Sequence, residues 1–417
     1  MHNDAEILHA LFDAALQAAL PDGKFDGCLP DRPKGRTIVL GAGKASARMA
    51  AAFEEAWTQG GGTCEGLVVT RYGHSVPTRF VEIVEAAHPV PDEAGLAAAG
   101  RILALAREAG PDDLVICLIS GGASALLSLP AEGLTLADKQ EINRALLRSG
   151  APIGEMNRVR KALSAIKGGR LAAAAHPARV VTYLISDVPG DDPGSIGSGP
   201  TIPEAVEAEE VLAILRRYAI NVPDRVVSVI RRNRLEGGVS GGEVHMLATP
   251  KMALDAAARR ARDFGLSPLV LGDAIEGEAR EVGRVMAGIA RSAQQHGEPV
   301  TPPCVILSGG ETTVTVRGKG RGGRNAEFLL SLALSLEGEP AFAGLACDTD
   351  GIDGSEDNAG AWFDARLLEA ARGQGIDLKA ALADNDAYTA FSALGRLVIT
   401  GPTLTNVNDF RCILVRG

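Results

Sequence analysis

In TIVLGAGKASARMA, residues 37–50, an apolar run ends in Gly41-Ala42-Gly43, and Lys44 follows at the start of a helix-like pattern. A glycine turn that presents a lysine at a helix amino terminus suits a carboxylate or a phosphate, since both the charge and the free amides attract anions. A Walker A loop does not fit. No glycine opens the loop, and Ala45 stands where a Mg2+-binding hydroxyl must follow the lysine. A dinucleotide fingerprint is also incomplete. Ser46 occupies the third-glycine position, and the next strand-like run ends in VVTRYGH, without the acid that binds ribose hydroxyls.

Two more glycine turns follow buried apolar runs. Ser120-Gly121-Gly122-Ala123-Ser124 comes after LVICLI, and Ser308-Gly309-Gly310-Glu311-Thr312 comes after CVIL. Such turns at strand ends let backbone amides approach an anion. Acids cluster in similar places. Asp187 ends one apolar run, with Asp191 and Asp192 in the Pro/Gly loop beyond it; Asp348, Asp350, Asp353 and Asp357 follow another. Grouped carboxylates can hold a hard divalent cation or take a proton from a hydroxyl.

Cationic residues stand beside them. RGKGRGGRNAEFLL places Arg321 and Arg324 on a glycine loop opening a helix, with Asn325 and Glu327 in its first turn. NRVRKALSAIKGGRLA adds Arg160, Lys161 and Lys167, some of them expected on a solvated helix face. His74 and His88 are expected to be structural. Acid-bearing and cation-bearing turns in one chain are explained most economically by Mg2+-assisted phosphoryl transfer.

These residues need elements to position them. Through the first half of the chain short β-rich runs alternate with helix-length amphipathic segments, which predicts a largely parallel sheet covered on both faces. A chain of 417 residues exceeds one ordinary core. The Gly/Ser-rich stretch near residues 237–242 suggests a division into 1–240 and 241–417. The net charge of −10 disfavours a nucleic-acid partner. No run approaches membrane-spanning length, and the acidic opening segment reads as an amphipathic surface helix rather than a signal peptide. The scattered cysteines, with no CxxC pair, suggest buried reduced thiols and a cytoplasmic setting. A homo-oligomer is compatible with this composition.

Together, GAGKA, HPVPDEAG, LISGGASALL, NRVRKALSAIKGGRLA, SDVPGDDPGSIGSGPT, SGGETTVTVRGKGRGGRNAEF, DTDGIDGSEDNAGA and TGPTLTNVNDF closely resemble the MOFRL-type (class II) glycerate 2-kinases, over nearly the whole chain. The resemblance implies a Rossmann-like, doubly wound amino-terminal domain and a smaller α/β MOFRL domain, with an active site in the cleft between them. It implies ATP and Mg2+ or another divalent cation, with D-glycerate phosphorylated at its 2-hydroxyl to give 2-phosphoglycerate and ADP. By the family pattern Lys44, Asp187 and Arg324 are the catalytic positions.

In the mechanism expected from this, Asp187, helped by Asp191, orients or deprotonates the hydroxyl. Lys44 and Arg324 neutralise the transferring phosphoryl group. Anionic groups fall to Ser120, Gly121, Gly122 and Ser124, to Arg160 and Lys161, and to Gly309, Gly310, Glu311 and Asn325. Asp348, Asp350 and Asp353 are the expected metal positions. Ala123 stands where the family usually has a third glycine, and its methyl group is expected to narrow that turn or restrict its φ. Relatives also carry a hydroxypyruvate reductase label, the alternative activity, which would need NAD(P)H.

Overall fold

The structure, a computed structural model, describes residues 3–235 and 242–417; the expected division between residues 240 and 241 lies outside them. The chain forms two compact units: Pro21–Leu247, and Met1–Leu20 together with Ala248–Gly417. The opening segment therefore belongs with the second half of the chain rather than with residues 21–240, where it was expected.

In the unit Pro21–Leu247 the strands are β1 (Thr37–Ala42), β2 (Glu65–Arg71), β3 (Val81–Ala86), β4 (Leu114–Ile119), β5 (Arg179–Ile185) and β6 (Glu243–Ala248). They lie in the order β3-β2-β1-β4-β5-β6, and the first five are mutually parallel. Strands β1 and β4 are buried along their whole length, as continuous apolar runs in a parallel sheet must be. Alternation sends Ile38, Leu40 and Ala42 to one face, against Ala98, Ile102 and Ala106 of the helix Glu93–Arg107. An aromatic group of Phe25, Phe53 and Tyr183 packs elsewhere in this unit, with ring centroids 4.9 Å and 5.5 Å from Phe25. A separate apolar cluster joins the helices Leu136–Ser149, Ile153–Ala162, Ala208–Arg217 and Asp224–Arg232 through Ile142, Val159, Leu215 and Ile230.

The other unit has the strands β7 (Ser267–Gly272), β8 (Gly277–Glu278), β9 (Cys304–Gly310), β10 (Thr312–Thr313), β11 (Phe342–Asp348), β12 (Gly360–Phe363), β13 (Leu397–Val398) and β14 (Asp409–Val415). Its main sheet has the order β13-β12-β11-β14-β9-β7. Only β7 and β9 pair in parallel; the other neighbours are antiparallel. The parallel sheet expected from alternation in the first half of the chain is thus found in the first unit, and the second unit is built on a mixed, mainly antiparallel sheet. The helix Asp4–Ala19 starts at an Asn3–Glu6 capping box and buries Ile7, Leu8, Leu11 and Phe12. It is tied to this unit by Thr405 Oγ1, which donates to Ala19 O at 2.7 Å, and by the Asp4–Arg416 ion pair.

All six cysteines are free, and Cys117, Cys304, Cys347 and Cys412 are buried in strands. Among the described residues no helix is long and apolar enough to cross a membrane.

Candidate active site

Parallel strands β1, β4 and β5 lie side by side, so their carboxyl ends deliver Lys44, the turn at residues 120–124 and Asp187 to one sheet edge. The order reverses between β1 and β4, which is where open α/β sheets bind ligands. Here that point is stitched shut. Lys44 N donates to Gly121 O at 2.8 Å, and Ala45 N donates to Ser120 Oγ at 3.0 Å. Gly43 has φ +135°, and a Cβ there would lie 2.1 Å from Ser120 Oγ. Two amides that a dinucleotide pyrophosphate would use are therefore already bonded. Strand β2 ends in Thr70-Arg71, with no acid at the ribose position.

The second glycine turn runs as expected at a strand end. Gly122 takes φ +83°, and a Cβ on it would come within 3.2 Å of both Lys44 Cγ and His88 Nε2. Ala123 begins the short helix Ala123–Leu126. Its methyl group is fully buried and faces Gly197, where a second Cβ would approach to 2.8 Å. The expected restriction is thus avoided: Gly122 carries the left-handed conformation and Gly197 makes room for the methyl. Ser124 Oγ lies 2.8 Å from Ser198 Oγ, which links the turn to the loop after β5. In that loop Asp187 is half-buried and Asp191 has φ +54°. Asp192 accepts from Ser195 Oγ at 2.7 Å.

Beside Gly122 and Ser124 lies a cavity of about 250 Å³ that His88, Lys139, Arg160 and Lys167 also line. His88, expected to be structural, thus lines this cavity. None of the lining side chains is Asp or Glu. Lys139 is placed by the capping box of Thr135 and Asp138, which starts the helix Leu136–Ser149 one residue earlier. Its ammonium donates to Leu129 O at 3.3 Å. Arg160 Nε donates to Asn143 Oδ1 at 2.8 Å and its Nη1 to Asn157 Oδ1 at 3.3 Å, while Lys167 Nζ donates to Ser124 O. Burial pushes the Lys139 ammonium down to about 7, aided by Arg160. Burial, then Lys139 and Arg160, hold Lys167 well below the usual lysine range. Lys161 pairs with Glu204 and does not line the cavity.

In the other unit Arg324 opens the helix Arg324–Ser335 and meets three carboxylates. Its Nε donates to Asp409 Oδ1 at 2.8 Å, its Nη1 to Glu311 Oε1 at 2.8 Å and its Nη2 to Asp348 Oδ2 at 2.7 Å. Although burial opposes its charge, Asp409, Asp348 and Glu311 raise its pKa above the ordinary arginine range. Asn325 donates its side-chain amide to Asp409 Oδ1 at 2.8 Å. Gly309 and Gly310 do not form an open turn. They end strand β9, and a Cβ on Gly310 would lie 2.3 Å from the Ile275 backbone.

Asp348, Asp350 and Asp353 are engaged in the fold. Besides Arg324, Asp348 accepts from Asp350 N at 3.0 Å, and Asp350 accepts from Ile352 N at 2.8 Å. Asp353 caps the helix Arg324–Ser335, accepting from Asn325 N at 2.9 Å and Ala326 N at 2.8 Å. Burial raises its carboxyl to about 6 against the pull of these amides. Among the described residues no three His, Cys, Asp or Glu side chains form a group that could hold a metal ion. The arrangement expected at these three aspartates is therefore absent as an all-protein site.

Two residues escaped the sequence reading. Asp409 lies under Arg324, Asn325 and Arg411, and its signal was an Asp-x-Arg pair inside the apolar run DFRCILV. Lys139 carries no signal in the sequence, because only the tertiary packing buries it.

The geometry describes an α/β protein with cationic groups and glycine turns at strand ends, outside the P-loop and dinucleotide designs. Residues 7–231 match the family model described as "Domain of unknown function (DUF4147)", and residues 304–409 match that of the MOFRL family. A D-glycerate 2-kinase of Thermotoga maritima is 39% identical, over 95% of this chain and 94% of that protein. A protein of Agrobacterium vitis named "Putative hydroxypyruvate reductase" is 55% identical, over 98% of this chain and 94% of that one. A solved glycerate kinase structure from Thermotoga maritima superposes with a TM-score of 0.89 at 38% identity, covering 98% of this chain and 99% of that one. The class is that of kinases. The chain belongs to the MOFRL-type (class II) glycerate kinase family.

Proposed function

We propose that this protein transfers the γ-phosphoryl group of ATP to the 2-hydroxyl of D-glycerate, giving 2-phosphoglycerate and ADP. The observation that carries this reading is the edge formed by β1, β4 and β5, where a lysine, a glycine turn and an aspartate stand on three adjacent parallel strands. Asp187 takes the hydroxyl proton as the hydroxyl oxygen bonds to the γ-phosphorus and the bond to the β-phosphate oxygen breaks. Asp191 supports Asp187. Lys44 stabilises charge on the transferring group, as preorganised cations do in phosphoryl transfer. Arg324, the other cation of the family pattern, is proposed to act on the same group.

Mg2+ is part of this reading as a companion of the nucleotide. It typically keeps several waters and takes one or two protein carboxylates plus substrate phosphates. The contacts of Asp348, Asp350 and Asp353 do not fit a dedicated metal cage, so no step is routed through them.

The reductase name borne by the Agrobacterium vitis relative calls for a direct comparison. Turnover of D-glycerate with ATP and Mg2+ is measured beside NADH and NADPH oxidation with hydroxypyruvate, and the phosphorylated product is identified. Formation of 2-phosphoglycerate only in the first assay is expected. NAD(P)H oxidation without any ATP-dependent product would overturn the proposal, and 3-phosphoglycerate would overturn its regiochemistry.

A further inference from the structure

The cavity beside Gly122 is lined by two buried lysines and the partly buried Arg160, with no carboxylate among its lining residues, an arrangement that is costly without a ligand. Lys139, Arg160 and Lys167 have only neutral oxygens as partners: Leu129 O, the side-chain amides of Asn143 and Asn157, and Ser124 O. Lys139 and Lys167 are 8% and 2% exposed. Buried charges are ordinarily paired, because desolvation is not recovered by neutral dipoles alone. An anion small enough for the space would supply that pairing.

We propose that this cavity receives the carboxylate of the acid substrate, and that Lys139 and Lys167, with Arg160, determine specificity for it. The assignment rests on the reading of the reaction as phosphoryl transfer to a hydroxy acid. Three features favour the substrate carboxylate over the nucleotide phosphates. The volume of about 250 Å³ is below the roughly 300–1,000 Å³ typical of pockets for larger ligands. Part of the wall is apolar, formed by Ile142, Leu146 and Leu163, which suits a short carbon chain better than a hydrated polyphosphate. The third feature is the cavity's relation to Lys44. Gly122 lines the cavity, and the space over its Cα touches the Lys44 stem. A carboxylate held by the lysines therefore places the neighbouring carbon and its hydroxyl toward the turn that carries Lys44.

The full chain is titrated calorimetrically with D-glycerate, with glycerol, with inorganic phosphate and with a non-hydrolysable ATP analogue, each alone. Wild type, Lys139→Met, Lys167→Met and the charge-keeping Lys139→Arg are compared. Wild type is expected to bind D-glycerate and not glycerol. Both methionine variants should weaken D-glycerate binding by roughly 30-fold or more, leave the ATP analogue unaffected and melt no lower than wild type, since each removes a repelled buried charge. Lys139→Arg should recover part of the loss. In turnover the methionine variants should raise KM for D-glycerate and leave that for ATP unchanged.

Loss of ATP-analogue binding with D-glycerate binding intact would assign the cavity to nucleotide phosphate and overturn the proposal. So would unaltered affinity for both, or tight phosphate binding that D-glycerate does not displace. If a methionine variant fails to fold, Arg160→Gln is read by the same criteria. D-glycerate binding that depends on these lysines in a protein with no phosphoryl transfer would leave this assignment standing while the proposed reaction fell.

Discussion

Asp348 and Asp409 face each other as register partners across the antiparallel β11–β14 ladder, and Arg324 holds both, at 2.7 Å and 2.8 Å. Like charges directly opposite one another destabilise a sheet, so the guanidinium is part of what allows these strands to pair. Arg324 therefore has a structural duty as well as its proposed catalytic one.

Replacing Arg324 with Ala should expose both roles. Leaving two buried carboxylates without their shared cation is expected to cost about 3 kcal/mol or more, measured by denaturant unfolding. The kcat should fall by about 10²-fold or more at a temperature where the variant is folded. Arg324→Lys cannot reach three carboxylates with one planar fork and should recover only part of the stability. Normal turnover in folded Arg324→Ala would remove Arg324 from the reaction.

Lys44→Ala should lower kcat by roughly 10²–10³-fold, with a smaller change in stability than Arg324→Ala. Steady-state kinetics beside a melting curve separates the two. Near-normal kcat would count against Lys44 as the group that stabilises the transferring phosphoryl.

The stitch between the turns after β1 and β4 makes a stability prediction. Ser120→Ala leaves the buried Ala45 amide without its acceptor and should cost about 1–3 kcal/mol. Gly43→Ala should be worse, since its Cβ would fall 2.1 Å from Ser120 Oγ at a φ of +135°. Wild-type unfolding curves for Gly43→Ala would contradict this packing.

Lys139 predicts a pH dependence. Its folded-state pKa of about 7 lies below the ordinary 10.5, so between those values the unfolded chain binds more protons than the folded one. Stability from this group is complete above about 10.5 and is lost as pH falls toward 7. Lys139→Met should flatten the stability profile in that window relative to wild type. Parallel profiles for the two proteins would contradict the burial of this charge.

Chelation should separate fold from turnover. With no metal-holding group of His, Cys, Asp or Glu among the described residues, EDTA is expected to abolish ATP-dependent turnover and leave the melting temperature of the nucleotide-free protein unchanged. A large fall in melting temperature would point to a structural ion.

Much of the fold was legible in the chain. The uninterrupted apolar runs of β1 and β4 mark strands buried on both faces. The glycine turn expected at residues 120–124 does follow such a strand. The same reasoning misread residues 308–310, because Gly309 and Gly310 serve close strand packing beside Ile275 rather than an open turn. Asp353 was misread for a related reason. A helix cap contributed from some thirty residues away has no local sequence signature, and its carboxylate looked like one more member of an acidic cluster.

By itself, the sequence determined the chemistry available: a lysine after a glycine turn, aspartates after apolar runs, an arginine opening a helix, and the absence of Walker and dinucleotide patterns. Each depends on residue type and short spacing, which the chain carries directly. Tertiary structure decided which of these groups meet. Strand order brings Lys44 and Asp187 to one edge, register sets Asp348 against Asp409, and helix packing buries Lys139 beside Lys167. Those relations depend on contacts between residues distant in the chain, and burial is what turns an ordinary lysine or aspartate into a group with a specific role.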